Sequence, residues 1–273
     1  MTTFQAIILG IVQGLTEFLP ISSTAHLRVV PAFFGWEDPG AAFTAVTQLG
    51  TIAAVIIYFA RDLWNILSTW TRSLFNPDLR PHPDARIGWY ILLGTLPIGI
   101  LGVLFEAQID TVARDLRLIA GTLIGLGIVL WLADRAAAQR KETADLTLRD
   151  GLVFGVSQAL ALMPGVSRSG ATITAGLLLG YSRAAAARYS FLLSVPAILA
   201  AGLFNLGDVT AGGGPGLGPT LVATLLAFVS GYASIAWLLR FVSRNNYTVF
   251  VVYRIGLGVL IVALLAAGVL QPS

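Results

Sequence analysis

Six segments of the chain are long and apolar enough to cross a membrane as helices. A helix needs about 20 apolar residues to cross the roughly 30 Å hydrocarbon core of a bilayer. Charged residues, or sequence rich in proline and glycine, bound each segment. The six segments are 41–59, 87–105, 116–133, 184–206, 217–239 and 249–270. This pattern predicts an all-α polytopic membrane protein with six transmembrane helices.

Two further apolar stretches are interrupted by polar residues. The stretch at 4–34 is broken by Pro-Ile-Ser-Ser-Thr at 20–24, and the stretch at 150–180 is broken by Pro-Gly-Val-Ser-Arg-Ser-Gly at 164–170. Backbone at such a break is tolerated within a bilayer only where protein or a water-filled cavity surrounds it. We therefore expect two re-entrant helix-loop-helix hairpins; a pair of helix–turn–helix units on the surface is the alternative.

The two predicted hairpins resemble each other in sequence. Gly-Ile-Val-Gln-Gly-Leu at 10–15 matches Gly-Val-Ser-Gln-Ala-Leu at 155–160, an offset of 145 residues, and the same offset relates Ile-Ser at 21–22 to Val-Ser at 166–167. Three predicted spans follow each hairpin, and an odd number of crossings inverts the next copy. We expect one membrane domain, 1–273, built as an inverted-topology repeat with halves at 1–134 and 149–270.

The composition agrees with a membrane protein and excludes several other classes. Hydrophobic residues make up 56% of the chain and charged residues only 11%, whereas soluble domains carry about 25% charged residues. The chain has no cysteine. A soluble enzyme, a disordered scaffold and a secreted disulfide-rich protein are therefore excluded. The basic residues do not form one stripe, so no nucleic-acid partner is expected.

The distribution of lysine and arginine predicts the orientation of the chain. Twelve of these residues fall in the loops on the side reached after the first span, against only Arg114 and Arg117 on the other side. Cytoplasmic loops carry the excess of positive charge. Both termini, the mouth of the first hairpin and the loop at 207–219 are then predicted to face outward.

Five ionisable residues are predicted at membrane depth, where burying a charge is costly and function is the usual reason for it. Glu17, His26 and Arg168 are the stronger candidates, and Arg28 and Arg254 are the weaker ones. The first three lie at or beside the two breaks, which an inverted repeat would bring together. We therefore expect one polar site near the middle of the membrane.

The first break offers groups for binding both a cation and an anion. Gln13 and Glu17 are four residues apart and share one helix face, and a carboxylate beside an amide oxygen suits a hard divalent cation. A capping or interhelical hydrogen bond is the alternative role for this pair. Ser22, Ser23 and Thr24 open the next half-helix, whose free N–H groups favour an anion.

His26 follows this hydroxyl cluster within about one turn of the helix. An imidazole can serve as general acid, general base or nucleophile near neutral pH. Because it lies close in sequence to Glu17 and Ser23, we expect a role in catalysis. A histidine that only makes structural hydrogen bonds is the alternative.

The second break is centred on Arg168, between Ser167 and Ser169. Its guanidinium is a planar, permanently charged fork that matches the geometry of phosphate. Gly170 lets a ligand approach the backbone closely, and Thr172 adds a hydroxyl. We predict a bound phosphate group here, with pairing of Arg168 to Glu17 as the alternative. Together the two breaks indicate phosphoryl transfer to water on a lipid-borne substrate.

The two breaks resemble the signature motifs of a known family. The motifs are Gly-Leu-Thr-Glu-Phe-Leu-Pro-Ile-Ser-Ser-Thr-Ala-His at 14–26 and Pro-Gly-Val-Ser-Arg-Ser-Gly-Ala-Thr at 164–172. They are similar to those of the bacterial undecaprenyl-diphosphate phosphatases of the integral-membrane, bacitracin-resistance type. The resemblance covers essentially the whole chain. Gln13 stands where the family has Glu or Gln, and Ala25 where many members have Gly.

The resemblance implies hydrolysis of undecaprenyl diphosphate to undecaprenyl phosphate and inorganic phosphate, which recycles the carrier lipid for cell-wall assembly in the bacterial cytoplasmic (inner) membrane. It implies a divalent cation, Mg²⁺ or Ca²⁺, held by Glu17 and Gln13. The expected catalytic residues are Glu17, Ser23, His26 and Arg168, and the expected phosphate-binding residues are Ser22, Thr24, Ser167, Ser169, Gly170 and Thr172. Whether Ser23 attacks the phosphate after His26 takes its proton, or His26 activates water while Ser23 orients it, stays open.

Two other functions use the same residues. A polyprenyl-phosphate transporter or flippase would need the same phosphate site, since inverted repeats with broken helices are typical of transporters. A structural partner of the cell-wall machinery with a relic site is the third hypothesis. Membrane lipid is an expected partner, and small residues such as Gly121 and Gly125 permit a homodimer without establishing one.

Overall fold

The computed structural model describes residues 1–105, 115–207 and 215–272, and this part of the chain is almost entirely helical. Its α-helices are α1 (Thr3–Glu17), α2 (Ser23–Phe34), α3 (Gly40–Tyr58), α4 (Ala60–Phe75), α5 (Pro83–Leu104), α6 (Leu116–Ala136), α7 (Leu148–Ala159), α8 (Arg168–Leu178), α9 (Arg183–Phe204), α10 (Leu217–Val242) and α11 (Thr248–Ala266). Short 3₁₀ turns lie at Pro77–Leu79, Thr143–Asp145 and Leu160–Leu162. Arg114 and most of the predicted outer loop at 207–219 lie outside the described residues.

Six helices have the length and apolar composition needed to cross a membrane, and they fall on the six predicted spans: α3, α5, α6, α9, α10 and α11. The predicted all-α, multi-pass membrane protein is thus confirmed. The helix ends differ from the prediction by a few residues. Helix α11 ends at Ala266 because Gly268 takes a φ of 70°, and the Val269 N–H turns back to donate to the Leu264 carbonyl at 3.0 Å.

Helix α4 occupies a segment that the sequence analysis treats as a loop. It is amphipathic: Ile66 is buried, whereas Trp64 and Phe75 are 68% and 87% exposed. Trp70 holds it against α5 through Trp89, with ring centroids 5.5 Å apart. A helix with one apolar exposed face and charged residues beside it is typical of the membrane interface. The search for spans missed it because its 16 residues are too few and too polar to cross a bilayer.

The two predicted hairpins are each a pair of short helices, α1 with α2 and α7 with α8, joined by a bend. Both bends end in a serine with positive φ, Ser22 at 72° and Ser167 at 67°. Each of these side chains caps the next helix by accepting a hydrogen bond, from the Ala25 N–H and the Gly170 N–H respectively. The same unusual geometry therefore recurs at the 145-residue offset found in the sequence.

Corresponding helices also pack in corresponding ways. Helix α1 packs on α10 and helix α7 packs on α5, so the first helix of each hairpin lies against the second span of the other half. Glycine allows both contacts: Gly10 lies against the backbone of Ala223, and a Cβ atom on Gly155 would fall 2.5 Å from the Gly94 Cα. These correspondences are compatible with an inverted repeat. The repeat, its boundaries and the re-entrant placement of the hairpins stay predictions.

A buried carboxylate joins three spans at the end of the bundle opposite the N-terminus of α6. Asp134 of α6 accepts a 2.6 Å hydrogen bond from Arg183 Nε of α9 and a 2.9 Å bond from the Tyr247 N–H at the start of α11. Burial raises the pKa of the Tyr247 hydroxyl well above its usual value, so this group stays protonated and donates to the Arg183 carbonyl. These hydrogen bonds of Asp134 hold the start of α11 in place. Helix α11 carries Tyr253 and Arg254, which contact residues of the site described next.

Candidate active site

The two hairpin bends meet around a cavity of about 130 Å³. The polar part of its wall comes from the bends: Glu17, Ser22, Ser23, Thr24, Ser167 and Arg168. The rest comes mainly from α3, α5 and α9: Gln48, Ile98, Ala161, Ala197, Ile198 and Ala201. Residues from sequence segments about 145 positions apart thus converge on one cavity inside an apolar bundle, as the sequence analysis predicts.

A buried ion pair connects the two hairpins. Arg168 Nη2 lies 2.6 Å from Glu17 Oε1, and the two side chains are only 11% and 4% exposed. Such a pair in a low-dielectric setting is costly to break, because removing one partner leaves the other charge buried alone. The alternative considered from the sequence, direct pairing of these residues, is the arrangement found in the structure.

The second carboxylate oxygen of Glu17 collects the other donors of the first hairpin. Ser23 Oγ donates to Glu17 Oε2 at 2.6 Å, and Gln13 Nε2 donates to the same oxygen at 2.9 Å. Charge-assisted hydrogen bonds of this kind are short and strong. The hydroxyl proton of Ser23 thus points at a carboxylate, which is the arrangement that a serine nucleophile and its general base require.

Two buried polar atoms at this cluster have no hydrogen-bond partner among the described residues, Arg168 Nη1 and Gln13 Oε1. Nearly all buried polar atoms in proteins are hydrogen-bonded, so each exception calls for an explanation. A guanidinium N–H suits an anionic oxygen, and an amide oxygen suits a cation or a donor. The cluster therefore retains one unused donor and one unused acceptor for a ligand.

The bends hold Ser22 and Ser167 in a backbone conformation that residues other than glycine rarely adopt, with φ of 72° and ψ of 96° for Ser22. Strain of this kind persists where the surrounding structure enforces it, often at functional sites. The result here is that two helix N-termini, those of α2 and α8, open at one cavity. Their free N–H groups and dipoles favour a bound anion.

His26 makes hydrogen bonds through both of its ring nitrogens. Its Nδ1 lies 2.7 Å from the Ser22 carbonyl oxygen, and its Nε2 lies 2.7 Å from Tyr253 Oη. The carbonyl can only accept, so Nδ1 donates to it. His26 does not line the cavity, and the side chain that contacts Ser23 Oγ is Glu17. In this geometry the imidazole supports the strained Ser22 backbone, and its catalytic role stays a prediction.

Three of the predicted phosphate-binding residues lie behind the cavity wall. Ser169 Oγ donates to the Leu19 carbonyl at 3.0 Å, and Thr172 Oγ1 lies 2.5 Å from Ser190 Oγ in the core. Gly170 leaves room for a neighbouring arginine, since a Cβ atom there would lie 2.7 Å from Arg254 Nη1. These residues brace α8 against its surroundings, whereas Ser22, Thr24 and Ser167 line the cavity itself.

Sequence reasoning assigned no role to two residues that the structure brings to the site. Gln48 of α3 lines the cavity; a glutamine within an apolar span was the signal that could have revealed it. Tyr253 binds His26 and lies parallel to it, with ring centroids 5.5 Å apart. No feature of the sequence marks this tyrosine, because it lies in an apolar span 227 residues from its partner.

The site's fit to a divalent cation rests on few protein ligands. In the described ranges, no group of three His, Asp or Glu residues is placed to hold a metal ion. Glu17 lines the cavity and supplies a carboxylate, whereas Gln13, which supplies the unpaired oxygen Oε1, lies buried behind it. Mg²⁺ usually keeps several waters and binds through one or two carboxylates together with substrate phosphates. The donor set therefore fits a cation that takes most of its ligands from a diphosphate and from water.

Comparison with known proteins shows the family of this chain. The sequence profile described as bacitracin resistance protein BacA matches residues 6–260. The chain is 56% identical to undecaprenyl-diphosphatase 2 of Streptomyces avermitilis, over 100% of this chain and 98% of that protein. It is 58% identical to the undecaprenyl-diphosphatase of Thermobifida fusca, over 100% and 94% of the two chains, and 55% identical to that of Micrococcus luteus, over 99% and 100%. The chain belongs to the bacitracin resistance protein BacA family.

Proposed function

We propose that this protein hydrolyses undecaprenyl diphosphate to undecaprenyl phosphate and inorganic phosphate. The observation that carries the proposal is the contact of Ser23 Oγ with the Glu17 carboxylate beside the guanidinium of Arg168, at the wall of one cavity. Relatives at 56% and 58% identity over the whole chain bear the name undecaprenyl-diphosphatase. A transporter would need a phosphate-binding site but not the pairing of a hydroxyl with a base, so hydrolysis is the better-supported function.

Substrate binding begins at a set of groups that we call the anion cradle: the guanidinium of Arg168 and the hydroxyls of Ser22, Thr24 and Ser167. Arg168 Nη1 is the buried donor that lacks a partner, and Ser22, Thr24 and Ser167 present hydroxyls around it. Charge stabilisation by fixed donors is the dominant contribution to phosphoryl transfer. In the proposed complex the terminal phosphate sits here, and the isoprenoid chain extends into the surrounding lipid.

The chemical step starts at Ser23. Its Oγ attacks the terminal phosphorus, and the bond from that phosphorus to the bridging oxygen breaks. Glu17 Oε2, 2.6 Å away, takes the hydroxyl proton and passes it to the departing undecaprenyl phosphate. Water then cleaves the Oγ–P bond with Glu17 again as base, and the serine oxygen regains a proton. Inorganic phosphate is released.

A divalent cation would be held by Glu17 and Gln13 together with the diphosphate. The charges of Glu17 and Arg168 balance each other across their 2.6 Å contact, so this pair has no net charge to offset that of a diphosphate. When bound there, Mg²⁺ or Ca²⁺ would supply that charge and neutralise phosphate oxygens. Gln13 is available as a ligand of this cation, since its Oε1 lacks a partner in the described part of the chain.

The proposed orientation places the cavity mouth and both termini outside the cytoplasmic (inner) membrane, because of the lysine and arginine asymmetry. The chain lacks cysteine, so single cysteines report sidedness cleanly. We expect an impermeant maleimide to label exposed Glu37→Cys in intact cells, and to label exposed Ala138→Cys only after lysis. The reverse pattern would contradict the orientation.

Replacing Arg168 tests the cradle. Arg168→Lys keeps the charge but loses the planar fork, so we expect kcat for phosphate release from polyprenyl diphosphate in detergent to fall by roughly 100- to 1,000-fold. Arg140→Lys, the same change at an exposed position, serves as the matched control and should keep native activity. Phosphate release should also stop when a chelator removes the cation. Native activity of Arg168→Lys would exclude this cradle.

Trapping the intermediate tests the covalent route. An acid quench of single turnovers with substrate labelled in the terminal phosphate should leave label on Ser23, identified by mass spectrometry. Ser23→Ala should abolish both the label and phosphate release, while Ser243→Ala, an exposed serine, should change neither. Turnover without labelled protein would instead favour direct attack by water, with Ser23 and Glu17 orienting it.

A further inference from the structure

Arg254 is a buried cation that the proposed chemistry does not use. It lies within α11, is 1% exposed, and is the largest fully buried side chain among the described residues. Among the described residues no carboxylate forms an ion pair with it, in contrast to Arg168 and Arg183. A buried charge is very costly unless its donors are satisfied, so the surroundings of this guanidinium must offset a large loss of hydration.

Backbone carbonyls from three segments of the chain accept hydrogen bonds from this guanidinium. Nη1 donates to the Pro20 carbonyl at 3.0 Å, and Nη2 donates to the Gly165 and Val166 carbonyls at 3.2 and 3.1 Å. Longer bonds join Nε to the Leu123 carbonyl at 3.3 Å and Nη2 to that of Thr122 at 3.4 Å. One side chain thus binds the first bend, the second bend and helix α6.

These bonds fall at equivalent places in the two hairpins. Pro20 precedes Ser23 by three residues, and Gly165 precedes Arg168 by three residues. Arg254 therefore binds each bend through a carbonyl three residues before a side chain that the bend presents to the cavity, Ser23 in the first and Arg168 in the second. Carbonyl oxygens from separate bends that point at one spot repel each other, and a cation between them turns that repulsion into attraction. The local geometry is built for this contact, because Gly170 leaves the space that Nη1 occupies.

We propose that Arg254 is a positioning residue that fixes the spacing of the two bends and so aligns Ser23, Glu17 and Arg168. It does not line the cavity and acts only through the backbone. Lysine cannot replace it, because a single ammonium lacks the planar fork that reaches several carbonyls in fixed directions. The consequence for turnover rests on the proposed function, whereas the consequence for bend spacing does not.

Arg254→Lys should lower kcat strongly and leave KM nearly unchanged. The cradle side chains remain present in this variant, so substrate still binds, but their misalignment by about 1 Å can cost about 100-fold in rate. Arg254→Gln, which keeps one short amide, should behave in the same way. Arg240→Lys, an exposed arginine of α10, is the matched control and should keep native kcat and KM.

A distance measurement reports the spacing of the two bends independently of phosphate release. Leu15 beside the first bend and Met163 beside the second are 45% and 48% exposed, and the chain is otherwise free of cysteine. Spin labels at Leu15→Cys and Met163→Cys should give a narrow distance distribution in the otherwise native protein. With Arg254→Lys or Arg254→Gln the distribution should broaden or shift, whereas Arg240→Lys should leave it unchanged.

A native distance distribution in a folded Arg254 variant would overturn the positioning role, whatever its kcat. A changed distribution with native kcat would overturn the link between bend spacing and alignment of the site. If the native protein itself releases no phosphate, the proposed function fails, yet the labels still decide whether Arg254 sets the spacing.

Discussion

The contact between Glu17 and Arg168 joins two segments that lie 151 residues apart, and the proposed active site is organised around it. Each charge would be costly alone inside an apolar bundle, and each makes the other tolerable. In the proposed mechanism the two members of the pair have different roles: Arg168 binds the phosphate, and Glu17 is the base for Ser23. One carboxylate oxygen neutralises the arginine, while the other faces the hydroxyl of Ser23. A ligand that engages Arg168 changes the environment of the serine's base at the same time.

The two bends leave backbone groups without partners inside an apolar bundle. Such groups are costly to bury unless they are hydrogen-bonded, and the protein satisfies them in two ways. The serines at the bends cap the helices that follow, and the guanidinium of Arg254 collects the carbonyls that precede. The residues at the starts of both helices line the cavity, and helix N-termini favour an anion. Stabilisation of the bends and recognition of phosphate therefore share one arrangement.

Much of this architecture could be read from the sequence, because hydrophobic length and the polar breaks are local signals. The six spans follow from them, and so does the expectation that Glu17, His26 and Arg168 lie in one region of the protein. The direction of a side chain is not a local property, so the contacts that two of the predicted site residues make could not be predicted. His26 turns to Tyr253 rather than into the cavity, and Thr172 turns to Ser190. Helix α4 was missed because amphipathic helices at an interface leave no long apolar run.

The most direct test of the account is a structure of Ser23→Ala with a non-hydrolysable polyprenyl methylenediphosphonate and Mg²⁺. The quantity to measure is the distance from Arg168 Nη1 to the nearest oxygen of the terminal phosphonate. The account predicts a hydrogen bond of about 2.7–3.2 Å, with the diphosphonate between the two bends and the isoprenoid chain in lipid. A headgroup bound elsewhere on the protein, with Arg168 still paired only to Glu17, would contradict it.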